Sequence, residues 1–336
     1  MQPKISIIVP VYNAGNYLRH CLDTLVNQTL RDIEIILIID CPTDGSDEIC
    51  REYAANDNRI VIINNVRNLH IGNSRNEGLK IAQGEYIGFS DHDDYRTLDM
   101  YEKLYAQAIE NDTDIILGTS VAVGDQNEVL HFPISTKENP KNFALRDLLS
   151  CGSDETFTPL ALNIHPNIYR NDWLKINEIQ FVNTTKCTPE DRIFQIMCLC
   201  NTDKVAINHE QLYFHCIYAQ SSGQIQSYTG YKERANGKLI IYNFLNNKGL
   251  YDNYQSEFLI GVKKEFTELI VNELITTKSI KKAMNVIKYL KTFQFCQKAF
   301  QQTHYSLKRY RLGGKMSRIF VFCLIKLKKS ILVNSH

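Results

Sequence analysis

No acidic residue follows Glu273 and no proline follows Pro189 in this chain of 336 residues. The last 63 residues hold 14 lysines and arginines, against 24 basic and 37 acidic residues in the first 273, so a net charge of +1 conceals an acidic body and a basic tail. Such a tail is drawn to polyanions, either an anionic membrane surface or a nucleic acid. The lack of proline makes residues 229–336 read as helices, with breaks at Asn246-Asn247-Lys248-Gly249 and Gly313-Gly314. The apolar stretch Ile319 to Ile325 is far shorter than the roughly 20 residues a membrane-crossing helix needs. Flanked by Lys315, Arg318, Lys326, Lys328 and Lys329, it fits a basic helix lying on a membrane surface, or an amphipathic helix packed back on the body. No recognition motif for nucleic acid accompanies these charges, so nucleic acid is not an expected partner. No G-x-G-x-x-G follows the first apolar run, which argues against a dinucleotide oxidoreductase. The ten cysteines form no C-x-x-C pair and suit free thiols in a reducing compartment. With no signal-like opening, the expected location is cytoplasmic, peripheral at the inner face of the cell membrane.

What the chain does have, to about residue 120, is an alternation of short β-rich runs and helical stripes, the pattern of βαβ units feeding a mostly parallel sheet. Strands are expected at Ile5 to Val11, Ile33 to Ile39, Arg59 to Asn64, Tyr86 to Ser90 and Asp114 to Thr119. Leu18, Cys21, Leu22 and Leu25 mark the buried stripe of the first helix. Residues 120–165, with Pro133, Pro140 and Pro159 and with Pro166 directly after, read as loop-rich, and a short strand is expected near Val205 to Ile207. The domain boundary falls at 228, with a catalytic domain over 1–228 and a helical, basic region over 229–336.

In open α/β sheets, ligands bind outside the carboxyl ends of the strands. Three polar clusters fall at such ends: Tyr12-Asn13, Asp40, and Asp91-His92-Asp93-Asp94. Clustered carboxylates suit hard cations such as Mg²⁺ or Mn²⁺, which complete their shell with water and substrate phosphates. An Asp-rich turn also caps helices, so the convergence of three clusters carries the reading. Glu190-Asp191, behind Pro189, opens a further amphipathic helix, where acidic residues are favoured by the helix dipole as well as by chemistry.

Five segments together resemble the family 2 inverting glycosyltransferases of bacterial surface-polysaccharide type. They are Ile7-Ile8-Val9-Pro10-Val11-Tyr12-Asn13, Asp40 to Ser46, Gly72 to Gly78, Gly84 to Asp94 and Glu190 to Phe194. The resemblance spans about the first 225 residues. It implies the GT-A fold, a Rossmann-like sheet flanked by helices, here followed by a helical C-terminal extension. It also implies that Pro10, Tyr12 and Asp40 surround the nucleobase, typically uracil, and that Arg75 braces the nucleoside or the acidic cluster. Asp91 would serve the ribose or a metal-bound water, and Asp93 the Mn²⁺ or Mg²⁺ that bridges the diphosphate. His215 would add a metal or phosphate contact, although a lone histidine is often a structural hydrogen bonder. Asp94 would orient the sugar or cap the next helix. Asp191 matches the base that takes the acceptor's proton, with Glu190 orienting it or the sugar. Where the family's second motif usually has Gly and Ser, this chain has Cys41 and Pro42.

The implied activity is sugar transfer from a nucleotide-sugar, a UDP-sugar, to a saccharide or lipid-linked acceptor. A sugar nucleotidyltransferase would need a basic, Gly-rich loop after the first strand, where Asn13-Ala14-Gly15-Asn16-Tyr17 stands instead. A non-catalytic nucleotide- or saccharide-binding protein of the same fold is opposed by the intact carboxylates.

Overall fold

The structure is a computed structural model that describes residues 2–124, 129–130, 139–151, 163–217, 230–277 and 279–302. The basic segment at 308–329 and the Gly313-Gly314 break lie outside the described residues. The chain divides into two compact units, residues 1–145 with 158–227, and residues 146–157 with 228–336.

The first unit is built on a nine-stranded mixed sheet. β1 (Ile5–Val11) and β2 (Ile33–Ile39) are buried at every position, as expected of central parallel strands covered on both faces. β3 (Ile60–Asn64) forms one edge, and β4 (Tyr86–Phe89) pairs with β1 on the other side. The helices α1 (Tyr17–Val26), α2 (Ser46–Asn56), α3 (His70–Ile81) and α4 (Met100–Glu110) follow β1, β2, β3 and β5 in turn. The α1 stripe of Leu18, Cys21, Leu22 and Leu25 is buried, as its 3, 4, 7 spacing predicts.

Beyond β4 the sheet departs from the parallel pattern. β5 (Tyr95–Arg96), β6 (Ile115–Val123) and β7 (Val129–Leu130) precede α5 (Pro140–Ser150), a helix within the stretch that reads as loop. β8 (Ile168–Arg170) then inserts antiparallel between β4 and β6, giving the order β3-β2-β1-β4-β8-β6-β9-β5. Three residues are too few to show a period, which is why this strand escapes sequence reading. α6 (Asn171–Ile176) and α7 (Glu190–Leu199) lead to β9 (Val205–Cys216), twelve residues long rather than a short strand. β9 runs parallel to β6 through two register shifts and ends against β5. Strand alternation turns Tyr213 and His215 to the same face.

The second unit is described by α8 (Tyr231–Asn247), α9 (Tyr251–Thr277), α10 (Ile280–Leu290) and α11 (Gln294–Gln302). The expected break near residue 248 is present, and further breaks occur at Ser279 and at 291–293. Tyr242, Phe258 and Phe295 form the aromatic centre of this unit. Glu265, buried on α9, is held by Lys238 at 3.1 Å and Arg234 at 3.0 Å, the pairing a buried charge requires. Among the described residues no helix is long and apolar enough to cross a membrane.

Candidate active site

The loops after β1 and β2 are laced together. Asn13 Oδ1 accepts the backbone N–H of Thr43 at 2.8 Å, and Asp44 Oδ2 accepts that of Gly15 at 2.8 Å. Ser46 Oγ accepts the N–H of Ala14 at 3.0 Å. Burial pushes the Asp44 carboxyl up, but the donated bonds from Ser46 and Gly15 outweigh it and hold the group below its usual value. Asn13 and Cys41 both sit in the left-handed region, at φ 48° and 57°. Cys41 thus occupies a backbone conformation that glycine reaches at lower cost.

At the end of β2, Asp40 is buried, and its Oδ1 accepts from Asn65 Nδ2 at 2.7 Å and the backbone N–H of Leu69 at 2.8 Å. Tyr12, 45% exposed, stands at the end of β1. The Pro10 carbonyl lies 3.1 Å from His92 Nδ1, so β1 touches the acidic loop directly.

Arg75 connects the two halves of the site. It is 2% exposed on α3 and donates from Nη2 to Asp91 Oδ1 at 3.0 Å and from Nη1 to Glu190 Oε1 at 3.2 Å. Arg75 is therefore a buried residue and not a solvent-facing helix arginine. Its guanidinium also lies 5.3 Å from the centre of the Phe181 ring. Phe181 stacks on Phe194 of α7 at 4.1 Å, and both meet Phe89 of β4 edge-on, which fixes the start of α7 beside the end of β4.

Burial pushes the Asp91 carboxyl up, but the His165 ring and the Arg75 guanidinium overcome this and hold it well below the usual carboxylate range. Glu190 behaves oppositely. Burial, reinforced by the charge of Asp191, raises it to about 7 against the pull of Arg75. Among the described residues the Asp191 carboxylate takes one hydrogen bond, from the backbone N–H of Arg192 at 2.7 Å.

Asp94 does not cap the following helix. It is fully buried and accepts from the Tyr213 hydroxyl at 2.6 Å, the Cys216 backbone N–H at 2.9 Å and His215 Nδ1 at 3.2 Å. The bond to Asp94 raises the His215 ring to about 9. Beneath the loop, Arg96 Nη2 donates to Ser90 Oγ at 2.8 Å and to the Asp94 carbonyl at 3.1 Å, tying together the two ends of the acidic turn.

A family model described as glycosyl transferase family 2 matches residues 6–163. The uncharacterized glycosyltransferase MJ1057 of Methanocaldococcus jannaschii is 30% identical over 214 residues, covering 63% of this chain and 70% of that protein. The chain belongs to glycosyl transferase family 2. The glycosyltransferase GlyA of Streptococcus pneumoniae is 40% identical over 131 residues, which span 39% of this chain and 19% of that longer protein. The fold is that of S. aureus TarS 1–349, solved in complex with UDP-GlcNAc, with a TM-score of 0.71 and 18% identity across 99% of this family 2 chain and 93% of that one.

Within this family 2 chain the carboxylates fit a hard divalent cation. His215 gives Nδ1 to buried Asp94, the arrangement by which a carboxylate aims the other ring nitrogen of a histidine at a metal. Asp91 and Asp93 supply the oxygen donors that Mg²⁺ and Mn²⁺ prefer. A different trio, Asp91, Asp94 and His165, has donor atoms within 4.8 Å of one another. Arg75 Nη2, 3.2 Å from His165 Nε2, and the three donors already on Asp94 make that trio a closed polar cluster rather than a cation hole. His165, Tyr213 and Arg96 carry no motif at sequence level. Only their burial and partners reveal them, and β9 alternation is the one signal that could have pointed to Tyr213.

Proposed function

We propose that this chain is a metal-dependent, inverting glycosyltransferase that moves a sugar from a UDP-sugar to a saccharide or lipid-linked acceptor in surface-polysaccharide synthesis. The observation that carries this reading is the Arg75 bridge, in which one buried guanidinium binds Asp91 of the acidic loop and Glu190, the neighbour of Asp191. The bridge joins the acidic loop to the start of α7, where Asp191 follows the bonded Glu190, and this supports reading the two segments as parts of one site. The domain assignment of 1–228 as catalytic and 229–336 as a basic, membrane-associating region belongs to the same proposal.

In this reading, Asp40 accepts the imide N–H of the uracil through Oδ2, since Oδ1 is already engaged, and Tyr12 and Pro10 flank the ring. Asp91 would bind the ribose or a metal-bound water, and Asp93, Asp91 and His215 would hold Mn²⁺ or Mg²⁺. A bound divalent ion supplies Lewis-acid neutralisation of the departing nucleoside diphosphate. Asp191 takes the proton from the attacking acceptor hydroxyl while the nucleotide leaves from the opposite face, which inverts the anomeric carbon. Glu190 stays bound to Arg75 and holds the start of α7 in register with the donor.

Donor binding and hydrolysis should be measured across UDP-, GDP- and dTDP-sugars, with Mn²⁺ and with chelator. One UDP-sugar is expected to bind only with metal, Asp93→Ala to abolish that binding, and Asp191→Asn to keep it while losing on the order of 10²-fold or more in turnover. Absence of metal-dependent nucleotide-sugar binding under every condition would sink the proposal.

A further inference from the structure

Asp91 is gripped by a second side chain besides Arg75. His165, 6% exposed in the segment leading to β8, places Nε2 3.0 Å from Asp91 Oδ1. Its ring stacks on Tyr213 at 5.7 Å, and the Tyr213 hydroxyl is in turn bonded to Asp94. Nε2 is not placed to bind a metal, because Arg75 Nη2 lies 3.2 Å away and would set a full positive charge against the ion. Among the described residues the other ring nitrogen, Nδ1, is buried with no hydrogen-bond partner. A proton on Nδ1 would be a buried donor with nothing to bond, whereas a proton on Nε2 is received by Asp91. His165 is thus a donor to Asp91. Both contacts fall on Oδ1, so Arg75 and His165 form a fork that pins this one oxygen.

We infer that His165 is a positioning residue of the donor site, fixing Asp91 so that Oδ2 faces the ribose or metal-bound water of a nucleoside diphosphate. This rests on the proposed function, and it adds a residue beyond the matched region 6–163. Residues that orient ligands in this way cost about 10- to 100-fold in affinity when removed.

The test is calorimetric titration of UDP in the presence of Mn²⁺ into the full chain and three variants. His165→Ala is expected to weaken binding by at least about tenfold. His165→Gln, whose amide N–H reaches the position of Nε2, should recover most of the loss. His165→Asn, whose amide reaches only the position of Nδ1, should not. The Gln and Asn proteins separate positioning from mere packing, and they decide the matter if the alanine protein does not fold. Parent-like binding by His165→Ala, or equal binding by the Gln and Asn proteins, would overturn the inference while leaving the proposed function standing. Failure of the parent itself to bind UDP with Mn²⁺ would take down both.

Discussion

Glu190 is the residue whose protonation is most exposed to test. Its pKa is raised to about 7 in the fold from an ordinary 4.5, so the folded state holds a proton that the unfolded chain releases between those values. Stability therefore falls as pH rises from about 4.5 to 7, and ionised Glu190 is a net cost above that window. Glu190→Gln is expected to flatten this dependence and to gain roughly 1–3 kcal/mol relative to the parent at pH 8 compared with pH 5. Thermal unfolding at the two pH values checks it; parallel midpoint shifts for both proteins would contradict it. The same substitution removes the charge partner of Arg75, so turnover should drop even where stability rises. Single residues were legible to unequal degrees. Asp40, Asp91 and Glu190 stand at strand and helix ends where pattern alone singles them out. His165 stands in no pattern, and a lone histidine gains meaning only from what folds against it.

Helices and strands carry the second lesson. β1 and β2 were legible to the residue because covered parallel strands are uninterrupted apolar runs, whereas β8 and the full length of β9 depend on pairing with distant strands. α5 was hidden by prolines at 133, 140 and 159, one of which begins the helix rather than breaking it. The contact of α3 with the segment before α7 gives a sharp expectation. A Cβ on Gly72 would lie 2.7 Å from both Thr184 Oγ1 and the Val182 carbonyl, and 3.3 Å from Glu190 Cγ. Gly72→Ala should therefore push that segment outward, cost about 1–3 kcal/mol, and lower turnover more than UDP affinity. An unchanged ratio of kcat to KM would show that the segment yields without moving Glu190. Phe194→Ala, which removes the ring between Phe89 and Phe181, should cost about 3–5 kcal/mol in denaturant unfolding.

At the scale of the whole molecule, the charge split is the feature that composition alone made plain. The described part of the second unit already carries it, since α10 and α11 present Lys281, Lys282, Lys288 and Lys298 with no carboxylate. Binding to vesicles containing anionic lipid is expected to weaken steeply between low and physiological salt, and to be lost when residues 303–336 are removed. Equal binding to neutral vesicles would assign the contact to apolar insertion instead. Fold class followed from the βαβ rhythm, while the antiparallel insertion of β8 did not, because it is written in pairings more than 50 residues apart.

The Arg75 bridge also constrains how such enzymes can be recombined. Its arginine precedes the stretch at 120–165, and one of its two acid partners follows it. A chimera that joins the front of this chain to the back of a relative inherits a buried cation from one parent and must find its carboxylate in the other. Crossovers in that stretch should yield soluble, active proteins only where both parents carry the same arginine and glutamate, which makes the pair a compatibility lock on shuffled libraries.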